Sequence, residues 1–337
     1  MNSSLFIVSL SNEFAVITNM KNPVEFNENF YKLLSKYQPI CRPDFQKFSN
    51  NLHNTHWDNR IYLGTYFPRT VAEVYSIFNN AFGTHAFDFL MLQGSIKILS
   101  FGCGLGGDIF GLVVALCQLC DELKCSLPSL EIVAIDGNQP SLETMEDILG
   151  DYFASENVDA KITSVHHIST KDNFCPDSCF KDRYDFILTS KALNELYSQG
   201  NYGAYKQFCT TFLPLLNIKG VTLISDITCK LSDGRYAAQC LNYGVTRSLS
   251  ECPEFTTLLP LGCNRCSYCS EFTKTILNCF ADLLWQKEYE TKIHFRFLGR
   301  RKAYPLLEAV ASHNHFQKSC CSASAEKSYE FPLALMG

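Results

Sequence analysis

Hydrophobic and polar positions change their rhythm near residue 96. Before it, apolar residues recur every three or four positions, the period of a helix burying one face; Glu25 to Tyr37 and Asp44 to Leu52 carry that pattern. Pro68 to Phe78 carries it too, with Val71, Val74, Tyr75 and Phe78 on one side and a proline near the start, where its missing N–H is no loss. Leu5 to Leu10 and Phe14 to Thr18 read as short strands. Beyond 96, short apolar runs alternate with longer amphipathic ones. Strands are expected at Ile96 to Phe101, Leu130 to Ile135, Lys161 to His167, Tyr184 to Thr189, Val221 to Asp226 and Lys292 to Leu298. Helices are expected from Ile109 to about Leu123 and over Gln139 to Asp151, Tyr205 to Leu216 and Tyr236 to Thr246. Pro305 to Ala311 reads as a further helix and Tyr329 to Leu335 as a last strand. This alternation predicts an α/β fold with a doubly wound, mostly parallel sheet over 96–337, behind a mostly helical lead-in over 1–95.

The connections carry the chemistry. The first strand runs into Phe101-Gly102-Cys103-Gly104-Leu105-Gly106-Gly107-Asp108, a glycine turn that opens a helix. Such a turn reverses the chain at positive φ, brings backbone close to a ligand and presents the first free N–H groups of the helix. The second strand ends at Asp136, followed by Gly137. A carboxylate there is placed to accept hydrogen bonds from the two ribose hydroxyls of an adenosine-containing ligand. Turn and acid together are far more specific than either alone.

These residues resemble the class I S-adenosylmethionine-dependent methyltransferase superfamily, in which a Gly-x-Gly-x-Gly turn follows strand one and an acid ends strand two. The resemblance implies a methyltransferase with S-adenosylmethionine as its cofactor. Gly102, Gly104 and Gly106, with Phe101 and Cys103, would hold the methionine end, Asp136 and Gly137 the ribose, and His167 and Asp172 the adenine. The family's acid two residues before the first glycine is Ser100 here, and Asp108 is its candidate replacement. After strand four, Thr189 lies beside the transferable methyl, and Ser190, Asn194 and Glu195 inherit the reaction pocket, with Glu195 the candidate base. Arg69 and Tyr66, at the start of the Pro68 helix, are candidates to reach the same pocket. The Asn/Asp-Pro-Pro-Tyr/Phe tetrapeptide of many amino-group methyltransferases is absent, so RNA, protein and small molecules all stay open as acceptor. A nicotinamide-dependent oxidoreductase is the rival, because Gly107 also completes a Gly-x-Gly-x-x-Gly pattern.

After the fifth strand the pattern turns to cysteine. Cys263, Cys266 and Cys269 stand three apart in a polar loop and Cys252 precedes them, a spacing that fits thiolate ligation of zinc or an iron–sulfur cluster. Residues 230–288 are therefore expected to form a Cys-rich insertion. Tyr66 to Thr70, this segment and Tyr289 to Arg301 are similar, more loosely, to the methyltransferase-like small-ribosomal-subunit assembly proteins. That likeness implies a weakly catalytic or non-catalytic, metal-containing protein that contacts ribosomal RNA. The net charge of −5 over 337 residues argues against strong unspecific attraction to nucleic acid. An odd total of seventeen cysteines, with no basic lead-in or cleavage site at the start, points to a reducing, cytoplasmic setting. No run reaches the length of a membrane span.

Overall fold

A computed structural model describes residues 24–303 apart from 27, 43, 45–46, 228, 232, 260–269 and 279–285. The chain enters by a short strand β1 (Val24–Glu25), α1 (Glu28–Ser35), a 3-10 turn (Lys47–Ser49), α2 (His56–Thr65) and α3 (Phe67–Phe82). The alternating part follows: β2 (Ser95–Phe101), α4 (Gly107–Leu123), β3 (Ser129–Asp136), α5 (Gln139–Glu156), β4 (Ala160–His166) and β5 (Tyr184–Ser190). It continues through α6 (Leu193–Ser198), α7 (Ala204–Phe212), β6 (Leu216–Ile227), α8 (Ala237–Glu251), β7 (Phe255–Leu259), β8 (Ser270–Asn278) and β9 (Gln286–Arg300).

The strands lie in one sheet of order β1-β8-β9-β6-β5-β2-β3-β4, with β7 also paired to β9. The run from β4 through β3, β2 and β5 to β6 is parallel, and β9 lies antiparallel to β6, β7 and β8. The chain leaves β2 on one side through β3 and β4, then returns to its other side as β5. That reversal opens a crevice beyond the carboxyl ends of β2 and β5, where ligands of such sheets bind.

Strand periodicity divides the core in two. Ile96 and Ile98 of β2, Phe186 and Leu188 of β5 and Phe295 and Phe297 of β9 join α1, α3, α4 and α5 in one core. Leu99 and Phe101, Ile187, Ile224 and Leu298 join α7 and α8 in the other. Being buried on both faces explains why these strands read as continuous apolar runs.

The lead-in helices share the first of these cores. A side-chain carbon at Gly111 would lie 2.6 Å from the Val71 carbonyl and one at Gly107 3.1 Å from the Thr70 side chain, so the missing Cβ atoms let α3 lie directly on α4. That contact carries Arg69, Thr70 and Glu73 to the crevice.

One expectation needs correction. Among the described residues of Asp44 to Leu52 only Lys47–Ser49 coils, because the N–H groups of Asn51 and Leu52 bond to side chains, Glu195 and Asn50, and not to helical carbonyls. Within 230–288 the described residues include α8, β7 and β8, and both strands pair in the main sheet; the cysteines of the Cys-rich insertion expected there, Cys252 apart, lie mostly outside the described residues. The segments 5–18, 305–311 and 329–335 lie outside the described residues. No described helix is long and apolar enough to cross a membrane.

Candidate functional site

The glycine turn is left-handed at Gly102 (φ 66°), Gly104 (φ 53°) and Gly106 (φ 73°). Gly106 backs onto α5, where a Cβ would fall 2.6 Å from Met145 Cγ, whereas at Gly104 a Cβ would meet nothing within 4 Å. Gly104 is thus the point at which bare backbone faces open space. The Gly102 and Cys103 N–H groups both donate to the Ile135 carbonyl, tying the turn to the end of β3.

Asp136 caps that junction. Its carboxylate accepts from the Gly104 N–H at 2.7 Å and from the Asn138 N–H at 2.8 Å, one bond to each oxygen. Burial raises its pKa against the pull of these amides. Each oxygen retains a lone pair, so the group can still accept from a diol. Asn138 in turn donates to the carbonyls of Leu52 and Asn54 at 2.9 Å, clamping the segment before α2 over the β3 tip.

The chain leaves β5 through Lys191, a non-glycine residue at φ 62°, and passes beneath the glycine turn, where the Ala192 methyl fits because Gly102 has no Cβ (2.3 Å). Backbone strain of this kind gathers at functional sites. Lys191 Nζ pairs with the buried Glu73 of α3 at 2.5 Å. Asn194 is committed to structure: its amide donates to Asp226 at 2.6 Å and to the Lys191 carbonyl at 2.7 Å. The second oxygen of Asp226 accepts from the Tyr205 hydroxyl at 2.8 Å, and burial lifts its pKa to about 6. Ser190 accepts from the Ser225 hydroxyl at 2.9 Å.

Glu195 follows on α6. Oε2 accepts from the Asn51 N–H at 2.9 Å and Oε1 from the Asn51 side-chain amide at 2.6 Å. Desolvation dominates its protonation and pushes its pKa to about 8, with Asp136 and Asp226 adding repulsion and the Asn51 donors opposing.

These strand tips surround one cavity of about 920 Å³. Phe101, Gly102, Cys103, Gly104, Asp136, Gly137, His167, Ser190, Asn194 and Glu195 line it, together with Tyr66 and Arg69. Gly106, Thr189 and Asp172 are not among its lining residues: Gly106 backs onto Met145 of α5, Thr189 is buried within β5 and Asp172 is exposed beyond His167. His167 Nε2 lies 3.2 Å from the Asn173 carbonyl. Ser100 donates to Asp108 Oδ2 at 2.6 Å, and burial lifts Asp108 to about 6. Asp108 also lines the cavity. Asn51, Tyr62, Glu73 and Lys191 are site residues that motif reading did not find. Asn51 and Tyr62 had no local signal, whereas Glu73 lies one turn after Arg69 on a helix already placed at the pocket.

Cys263, Cys266 and Cys269 lie outside the described residues, and Cys252 is a half-buried free thiol at the end of α8. Among the described residues no group of three or more metal-binding side chains gathers. Zinc or an iron–sulfur cluster therefore finds no support there.

No family model and no curated protein matches the sequence. Among solved structures the chain is similar to a protein provisionally assigned as an RNA methyltransferase of Pyrococcus horikoshii, at 10% identity over 82% of this chain and 99% of that one, TM-score 0.39. It is also similar to an S-adenosylmethionine-dependent methyltransferase of Clostridium acetobutylicum, at 12% identity over 69% of this chain and 79% of that one, TM-score 0.29. At such identities and TM-scores nothing is carried over from these proteins, and the site stands on its own residues. The sheet order, with the antiparallel β9, the glycine turn after β2 and the acid ending β3, is that of a Rossmann-like α/β fold with its ligand crevice at the strand tips.

Proposed function

We propose that the chain is an S-adenosylmethionine-dependent methyltransferase whose donor lies across the tips of β2 and β3 and whose acceptor enters from the tip of β5. One observation carries the reading: the bare backbone of Gly104 and the half-buried Asp136 carboxylate, joined by a 2.7 Å hydrogen bond, open on the same cavity as Glu195. The residues fit the donor. Gly104 leaves space where any side chain would intrude, and Asp136 keeps acceptor capacity for the ribose diol. Asp108, braced by Ser100, supplies the acid for the donor's amino group. His167 lies on the wall beyond Asp136 and takes the adenine side.

The donor, when bound, supplies an electrophilic methyl group on a sulfonium. The protein's part is alignment and, for acceptors that carry a proton, its removal. Glu195 serves as that base: its raised pKa suits proton uptake near neutral pH, and Asn51 fixes both of its oxygens. Asn194 acts at one remove, holding the turn that presents Glu195. The test is a calorimetric titration of S-adenosylhomocysteine and, separately, NAD into the purified protein. Binding of the former with indifference to NAD supports the proposal, and the reverse supports the oxidoreductase.

A further inference from the structure

Glu195 is a half-buried carboxyl on the cavity wall with no positive partner among the described residues. Its hydrogen bonds come from one neutral residue, Asn51. The charges facing it from the tips of β3 and β6 are Asp136 and Asp226, both of its own sign. From α2 it faces Tyr62, whose phenol burial and the charge of Glu195 itself keep protonated. Lys191, four residues earlier, is held by Glu73. Taking a carboxylate out of water without a counter-charge costs several kcal/mol. A carboxyl in this setting ionises most readily when a ligand brings the cation.

The cavity also carries aromatic rings: Tyr62 faces Glu195, while Phe48 and Tyr66 lie under Lys47 and Arg69. Phe48, Tyr62 and Tyr66 line the cavity with ring centroids 5.3 to 6.0 Å apart. Aromatic faces attract ammonium groups, the more so where water is excluded.

We propose that the methyl acceptor is an aliphatic amine, received at Glu195 as its ammonium ion; this rests on the methyltransferase reading above. The balance closes. One ammonium proton passes to Glu195, leaving a neutral amine and a carboxylic acid. The nitrogen lone pair then forms the N–C bond as the methyl–sulfur bond breaks, and that electron pair stays on sulfur to give a neutral thioether. The product leaves as a methylated ammonium, and Glu195 returns its proton to water. A hydroxyl or a nucleobase amino group brings no cation at neutral pH, and a carboxylate acceptor is repelled.

The donor's sulfonium is the competing cation, so the test uses S-adenosylhomocysteine, whose sulfur is uncharged. n-Butylamine, n-butanol and butyrate are titrated at pH 9, where Glu195 is ionised and an alkylamine is still largely an ammonium ion, into protein saturated with S-adenosylhomocysteine. The amine should bind, butanol about tenfold more weakly or worse, and butyrate not at all, the spread expected for a charged hydrogen bond. Glu195→Gln, which should still take up S-adenosylhomocysteine, should lower amine affinity to the level of butanol. Failure of the amine to bind, equal binding of butanol, or an unchanged amine affinity in Glu195→Gln would overturn the proposal. Failure of S-adenosylhomocysteine itself to bind would instead remove the methyltransferase reading, and this inference with it. Methyl transfer from S-adenosylmethionine, run alongside, separates the sources. Methylation of n-butylamine points to a free amine, and methylation of a lysine-bearing peptide in its place to a protein side chain. Preference for a phenol or a carboxylate over both overturns the assignment.

Discussion

The tips of β2 and β3 and the tip of β5 line one cavity, but they are built by different means. At β2 and β3 the backbone does the shaping: three left-handed glycines set the turn, amide groups hold Asp136, and the residues involved fall within about one βαβ unit. At β5 the shaping falls to side chains. Glu195 is held from residue 51, Asn194 from residue 226, and Lys191 from residue 73. A cradle made of backbone suits a ligand that never changes, and a wall made of distant side chains can be re-cut for a new one. Under the proposed function the common donor would belong to the first and the particular acceptor to the second.

The largest expected effect separates the two halves. Glu195→Gln should cut methyl transfer by about two to four orders of magnitude, the usual worth of a positioned base, while leaving S-adenosylhomocysteine affinity nearly unchanged. Single-turnover rates and a binding titration on one preparation read both; parallel loss of rate and donor affinity would merge the two regions.

Next come the glycines. Gly106→Ala combines positive φ with a collision against Met145, so it should destabilise by about 1–3 kcal/mol. Gly104→Ala meets open space and should cost only the backbone strain, about 1–2 kcal/mol, yet should impair donor binding more than Gly106→Ala does at a temperature where both are folded. Denaturant midpoints and titrations measure the two orders, which should be opposite.

Asn51→Ala removes one of the two donors that favour ionised Glu195. The pKa of Glu195 should rise, moving the alkaline-going limb of the kcat/KM profile upward, with a loss of transition-state stabilisation of about 1–3 kcal/mol. A limb that stays in place would leave Asn51 a purely structural clasp.

The smallest effect is on the free protein. Burial raises the carboxyl pKa values of Asp108, Asp226 and Glu195, so between about pH 4 and each folded value the native state binds more protons than the unfolded chain. The stability these groups retain when protonated is lost as pH rises through the folded values. Both aspartates complete that loss near pH 6, and Glu195 continues it to about 8. Melting temperature should therefore fall from about pH 6 to 8, and Glu195→Gln should flatten that portion.

The asymmetry of the site also explains what was legible in the sequence. Strand ends, the glycine turn and Asp136 were readable because short apolar runs, the 3.6-residue period of the helices between them and positive-φ glycines are local signals. The pocket face of α3 was readable for the same reason, although the glycines of α4 that let it dock were not. Asn51 was hidden inside apolar spacing that looked helical; its N–H chose Glu195, 144 residues away, over a helical carbonyl. Asn194 was found but assigned to the reaction, because spacing cannot show that its amide is spent on Asp226 and Lys191. Asp172 and Thr189 were placed by analogy of position, and strand end and loop path put one outside the cavity and the other behind its wall.

The central claim is that the β3 acid grips an adenosyl ribose, and the most direct measurement is S-adenosylhomocysteine affinity in the wild-type protein and in Asp136→Ala. The account predicts clear binding to the first and a loss of about 1.5–3 kcal/mol in the second, the range for charged hydrogen bonds. Equal affinity in both, or no binding to either while NAD binds, would contradict it.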